Sequence, residues 1–184
     1  MERIRINQRE VGIIAPKRDC NKVTQLETRG LLTCFALGLY DPAAQVGLLS
    51  HIDAVGDFQL GLLVKNMSPL LHDLGVTNVT IETVNAWSNP LRVLYLSIVL
   101  STLKRNGFQV TPFTRADKSV ESWRDLGMSY AAVLDPQIGL KKLTYHEYEQ
   151  SLNPEQSDTD MNPLKDLRRL FTDFSIRLVY KPKR

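Results

Sequence analysis

Cysteine is scarce: 184 residues contain only Cys20 and Cys34. That excludes a disulfide framework, and no Cys-x-x-Cys pair points to dithiol chemistry. The three histidines, His51, His72 and His146, show no metal-ligand spacing with each other or with the cysteines. Zinc is therefore not expected, and no other cofactor is called for. Excess charge of one sign is lacking too. The formal net charge is +3, too small to argue for nucleic acid, and no basic stripe with interleaved aromatics runs along the chain. Long hydrophobic runs are missing. The most apolar stretch, residues 91–103, carries Arg92 and two serines, so it is too short and too amphipathic to span a bilayer. The opening Met-Glu-Arg-Ile-Arg-Ile lacks the apolar core of a signal peptide. A soluble protein in a reducing, cytoplasmic compartment is the expectation, with Cys34 kept as a thiol.

What is present is an ordinary globular balance, 43% hydrophobic and 23% charged, long enough for one domain with a real core. Strands are expected within 3–15, at 23–27, in two runs at 34–40 and 46–50, and at 78–84, 109–112, 129–134, 140–144 and 176–180. Apolar residues at three- and four-residue steps predict a helix over 58–74, with Asp57 as its cap and Gly75 as its stop. A second helix runs from Ser88 or Asn89, ahead of Pro90, to about Asn106, with Gly107 ending it. A polar loop with a helical turn is expected over 115–125. Short helices are expected at 145–152 and 163–174 around an acidic loop at 153–162. With no internal repeat or linker, residues 1–184 form one α/β sandwich, mixed sheets with helices outside.

The stretch from Thr28 to Asp53 is the most informative. Two apolar runs flank Asp41-Pro42-Ala43-Ala44, a type I turn signature. A symmetric turn there sets Cys34 directly opposite His51, with Cβ atoms roughly 4.5–5.5 Å apart. Phe35, Leu37, Leu39, Val46 and Leu48 then share one bulky face suited to helices. Cys34, Ala36, Gly38, Gly47, Leu49 and His51 share the other, whose small side chains admit a second backbone. A bulge that slipped the pairing by one residue would send His51 to the wrong face. A bend at Arg29-Gly30 would let Thr28 fold back toward His51.

A cysteine and a histidine in hydrogen-bond range form a minimal nucleophile–base unit. An imidazolium stabilises the thiolate, lowering a thiol pKa from about 8.5. The thiolate attacks a carbonyl carbon and the histidine protonates the leaving nitrogen. With a primary amide the product is ammonia. Thr28 is the candidate for orienting His51, with Asp53 second. Backbone N–H groups, among them that of Cys34, are candidates for stabilising the oxyanion.

These residues resemble a family. Thr-x-Gly-x-x-x-Cys, Tyr-Asp-Pro-x-Ala-x-Val-Gly, and a histidine seventeen residues after the cysteine are similar to the bacterial chemoreceptor glutamine deamidase CheD. His51-Ile52-Asp53 also resembles the eukaryotic protein N-terminal asparagine amidohydrolase. His-Ile-Asp-Ala resembles the glutamine-deamidating lethal-factor toxins, relatives of the cytotoxic necrotizing factors. The resemblance implies an α/β sandwich built on the 28–53 hairpin, with Cys34 as nucleophile, His51 as base and Thr28 supporting His51. Three positions depart from CheD. Leu32-Thr33 replaces Gly-Ser, the Leu-Pro after the histidine is absent, and Val84-Asn85-Ala86-Trp87-Ser88 replaces a glycine-rich segment. Trp87 is expected in the core, with a place in an altered substrate groove as the alternative.

The expectation is a bacterial cysteine amidohydrolase that deamidates glutamine in a protein substrate, acting in its own cytoplasm or, as an effector, in a host cytosol. N-terminal asparagine deamidation and a non-catalytic binding module of the same fold stay open. The oligomeric state is not encoded in any motif.

Overall fold

The computed structural model describes residues 2–15, 23–31, 34–53, 59–84, 90–111, 114–115, 129–144 and 175–178. In chain order these form β1 (Glu2–Ile6), β2 (Glu10–Ile14), β3 (Val23–Arg29), β4 (Phe35–Asp41), β5 (Val46–Ile52), α1 (Leu60–Asp73), β6 (Asn78–Val84), α2 (Pro90–Arg105), β7 (Gln109–Val110), β8 (Thr114–Arg115), β9 (Ser129–Asp135), β10 (Gly139–Thr144) and β11 (Ser175–Leu178). One sheet has four strands in the order β1-β3-β9-β10. The other has seven, β11-β2-β5-β4-β6-β7, with β8 also on β6. Both are mixed: β1/β3, β2/β11, β6/β7 and β6/β8 are parallel, the other pairs antiparallel.

The α/β sandwich expected from the sequence is the architecture observed. Strands β4 and β5 sit centrally in the larger sheet and are buried along their whole length. Their bulky face, Phe35, Leu37, Leu39, Val46 and Leu48, packs with Leu60, Val64, Met67 and Leu71 of α1 and Leu96, Val99 and Leu103 of α2. Each such side chain contributes about 1.5–3 kcal/mol on leaving water. The small face meets the four-stranded sheet. Ala36, Leu49 and Ile14 share a core there with Ile6, Leu26, Leu134 and Leu140. Glycine permits this contact: a Cβ on Gly12 would lie 2.3 Å from Ile6 Cδ1, and one on Gly47 2.9 Å from Pro136 Cγ.

The hairpin register differs from the symmetric turn. Asp41 pairs with Val46, so the loop is Pro42-Ala43-Ala44-Gln45, four residues rather than two. Asp41 is the reason. Its Oδ1 accepts the N–H groups of Ala43 (2.9 Å) and Ala44 (3.2 Å), and its Oδ2 those of Thr77 and Asn78, both at 3.0 Å. Gln45 closes the loop with φ 56°, in the left-handed region, as four-residue hairpin loops built on a type I turn allow. His51 therefore faces Ala36, not Cys34. The slip is two residues, an even number, so every side chain keeps its expected face.

Other boundaries also moved. The single strand expected within 3–15 is two, parted at Asn7-Gln8-Arg9, with Arg9 at φ 58°. The change of apolar phase between Ile6 and Val11 marks that break. Strand β3 runs on to Arg29. Helix α1 continues through Pro69, and Gln59 occupies its cap position without a side-chain bond. It ends as expected at Gly75 (φ 81°), with Gly75 N–H on His72 O and Val76 N–H on Leu71 O, the two bonds of a Schellman motif. Cys20, Asp57, Trp87, the loop at 116–125 and the segments 145–152, 153–162 and 163–174 lie outside the described residues.

Candidate active site

Three elements converge at one end of the sandwich. Cys34 directly precedes β4, His51 is the penultimate residue of β5, and Thr28 is the penultimate residue of β3. Cys34 and His51 lie on neighbouring strands, while Thr28 comes from the opposite sheet. The bend at Gly30 is present, at φ 72°. Thr28 reaches the histidine across the intersheet layer.

His51 is 4% exposed and Thr28 fully buried. Thr28 Oγ1 donates to the carbonyl of Ile6 at 2.9 Å and stands 2.8 Å from His51 Nδ1. A hydroxyl has one proton, and Ile6 O can only accept. With that proton committed to Ile6, the second bond forms only when Nδ1 carries a hydrogen and donates it to Thr28. The ring is then the Nδ1–H tautomer, and Nε2 is left with its lone pair. Nε2 is buried and has no hydrogen-bond partner among the described residues.

Cys34 is a reduced thiol, 8% exposed. It shares its apolar surroundings with Ala36, Ile6, Leu31 and Val84. Because Ala36 pairs with His51, Cys34 is the diagonal neighbour of His51 rather than its direct opposite. Diagonal Cβ atoms are about 7–8 Å apart or slightly less. The direct cross-strand contact expected from the sequence is thus replaced by a diagonal one, and Nε2 makes no hydrogen bond to Sγ.

Electrostatics set the resting form of the pair. Burial lowers the His51 pKa from 6.5 to about 4; Asp53 pulls it upward and Arg5 pushes it further down. Loss of hydration disfavours the imidazolium more than the nearby carboxylate favours it. His51 is therefore neutral at pH 7. The imidazolium expected to hold a thiolate is not the resting form. A neutral imidazole beside a cysteine is chemically able to act instead as a general base.

The ring's hydrogen bond is to Thr28 and not to Asp53, the second candidate for orienting it. The Asp53 carboxylate instead accepts Arg9 Nε (2.8 Å) and Nη2 (3.3 Å) and Gln8 Nε2 (3.1 Å). Gln8 and Arg9 escaped the sequence reading. They are separated from Asp53 by 45 and 44 residues, and no local pattern links them to it. No protein-family model and no curated protein matches the chain.

Proposed function

We propose that this chain is a cysteine-dependent amidohydrolase of the CheD and cytotoxic-necrotizing-factor type, deamidating glutamine side chains of a protein substrate. One observation carries the reading. Thr28 holds His51 through Nδ1, and the buried Nε2, without a hydrogen-bond partner among the described residues, lies on the sheet face that Cys34 shares. A structural histidine buried in a core normally has both nitrogens satisfied. Here one is held and the other is left for chemistry.

The reaction balances with these groups alone. Cys34 Sγ gives its proton to His51 Nε2 and bonds to the amide carbon. The tetrahedral oxyanion collapses, the C–N bond breaks, and the proton passes from His51 to the departing ammonia. Water, deprotonated by the same nitrogen, cleaves the thioester to leave glutamate and the thiol. The diagonal spacing of the resting pair closes when substrate is bound, as catalytic hydrogen bonds commonly do.

The absence of an Nε2–Sγ bond favours a second reading, a binding module that keeps the fold without turnover. Ammonia release separates the two. Purified protein is incubated with candidate glutamine-bearing proteins, and ammonia and the deamidation mass change are followed. Release that stops in Cys34→Ser and in His51→Ala supports the enzyme. Release undiminished in Cys34→Ser rules the mechanism out. A substrate deamidated only at an N-terminal asparagine would move the activity to that alternative.

A further inference from the structure

Asp53 lies one residue beyond the end of β5 and two beyond His51. Its carboxylate and the Arg9 guanidinium are both buried, 4% and 3% exposed, and meet through two guanidinium nitrogens, Nε at 2.8 Å and Nη2 at 3.3 Å. Gln8 adds a third bond to the carboxylate at 3.1 Å. The same turn grips the histidine's backbone. Arg9 N–H donates to the His51 carbonyl at 3.0 Å, and Gln8 forms a β-bridge with His51.

The turn is itself fixed from within. Asn7 donates its backbone N–H (2.9 Å) and its side-chain amide (3.1 Å) to Glu10 Oε2, and Glu10 N–H bonds to Asn7 O at 3.0 Å. Arg9 holds φ 58°, a conformation that a side chain with a Cβ disfavours and that persists only where its surroundings impose it. Desolvating two charges offsets most of the attraction in a buried ion pair, so such a pair is a weak source of stability. Two-pronged arginine–carboxylate bonding is instead a source of fixed geometry.

The position of this pair is what matters. The β4–β5 ladder ends at Phe35 and Ile52, and the β2–β5 ladder at Val11 and Ser50. His51 thus sits where regular pairing on the β2 side has already stopped. We propose that Arg9 and Asp53 form a clamp that positions His51, holding the exit of β5 so that Nε2 stays on the side of Cys34 while Thr28 holds Nδ1. Arg9 and Asp53 are positioning residues in this scheme, and the inference rests on the Cys34–His51 reading above. Among the described residues, the charges that act on the ring are Asp53 beyond β5, which favours the imidazolium, and Arg5 on β1, which disfavours it, with Cys34 the diagonal neighbour before β4.

The test compares Arg9→Lys, Arg9→Gln and the apolar double variant Arg9→Met with Asp53→Leu. Thermal melts establish folding. Ring ¹⁵N shifts give the His51 tautomer and titration midpoint, and iodoacetamide gives the alkylation rate of Cys34 across pH. In Arg9→Gln the carboxylate loses its Arg9 counter-charge. The His51 midpoint is expected to rise and the Cys34 rate at pH 7 to fall about tenfold, with Arg9→Lys recovering much of both. The double variant carries no buried charge at this pair, so it remains readable where Arg9→Gln does not fold. Loss of the Asp53 charge alone moves the midpoint in it, so a changed tautomer or a slower Cys34 rate is what supports the clamp. Wild-type tautomer and Cys34 rate in folded Arg9→Gln or in the double variant would overturn the clamp. Ammonia release that survives Cys34→Ser overturns the amidohydrolase instead, and leaves the His51 shifts to decide the clamp alone.

Discussion

Thr28 Oγ1 lies 2.8 Å from His51 Nδ1 although the two residues belong to different sheets. The bond crosses the layer between the sheets, so the site depends on how the sheets stack. Thr28→Val keeps the shape but removes the acceptor for Nδ1–H. Deamidation is expected to fall about 10- to 100-fold, the equivalent of one lost buried hydrogen bond. Thr28→Ser should retain most of the rate. Ring ¹⁵N shifts of His51 should show mixed tautomers in the valine variant and the Nδ1–H form in the serine variant.

His51 links folding to pH. Its folded pKa is depressed to about 4 from 6.5, so between those values the unfolded chain binds the extra proton. Stability is complete above about pH 6.5 and declines as pH falls toward 4; this group contributes about 3 kcal/mol to the decline. His51→Gln should flatten that part of the curve, as measured by urea denaturation at a series of pH values. The neutral ring persists down to about pH 4, so under the proposed mechanism acid-side loss of activity should not begin at the ordinary histidine pKa.

Asp41 accepts N–H groups from its own loop and from the start of β6. Burial pushes its pKa up, but the N–H groups of Thr77, Asn78, Ala44 and Ala43 outweigh this and hold it below 3.8. Its stabilisation is therefore present above pH 3.8 and lost as the solution becomes more acidic than the folded pKa. Asp41→Ala should cost about 3 kcal/mol, read as a lower urea midpoint at pH 7.

At Gly12 the two sheets pack closely, with Ile6 of the smaller sheet seated where a Cβ would be. In Gly12→Ala the new methyl would meet Ile6 Cδ1 at 2.3 Å and Cγ1 at 2.8 Å. Overpacking of this kind costs about 1–3 kcal/mol. Ile6 also supplies the carbonyl that orients Thr28. Displacing it should therefore lower activity beyond what the loss of folded protein explains. The check is specific activity per folded molecule, with folding measured by circular dichroism.

Gln45 bears a left-handed φ of 56° at the end of the hairpin loop. Glycine adopts that conformation without a Cβ clash. Gln45→Gly should stabilise by about 0.5–1 kcal/mol, visible as a higher melting temperature with unchanged activity. A loss of stability would show that the Gln45 side chain makes a compensating contact.

Alternation within β4 and β5 assigned each side chain to its face, because the strand period of two leaves only two choices. The glycines and alanines of one face already announced a close second layer. The same pattern could not count loop residues. Pairing across the turn depended on the Asp41 carboxylate reaching both its own loop and β6, and β6 is contributed by chain far beyond the hairpin. Thr28 was legible as a partner for His51, but the route was not, since it runs between sheets rather than along one. Gln8 and Arg9 were silent in the sequence for a related reason. Their partner Asp53 becomes a neighbour only after β2 has joined β5. Local periodicity therefore determined which residues face inward, and tertiary packing decided which of them meet. A buried hydrogen bond needs its partner within about 3 Å, a distance that only the assembled layers fix.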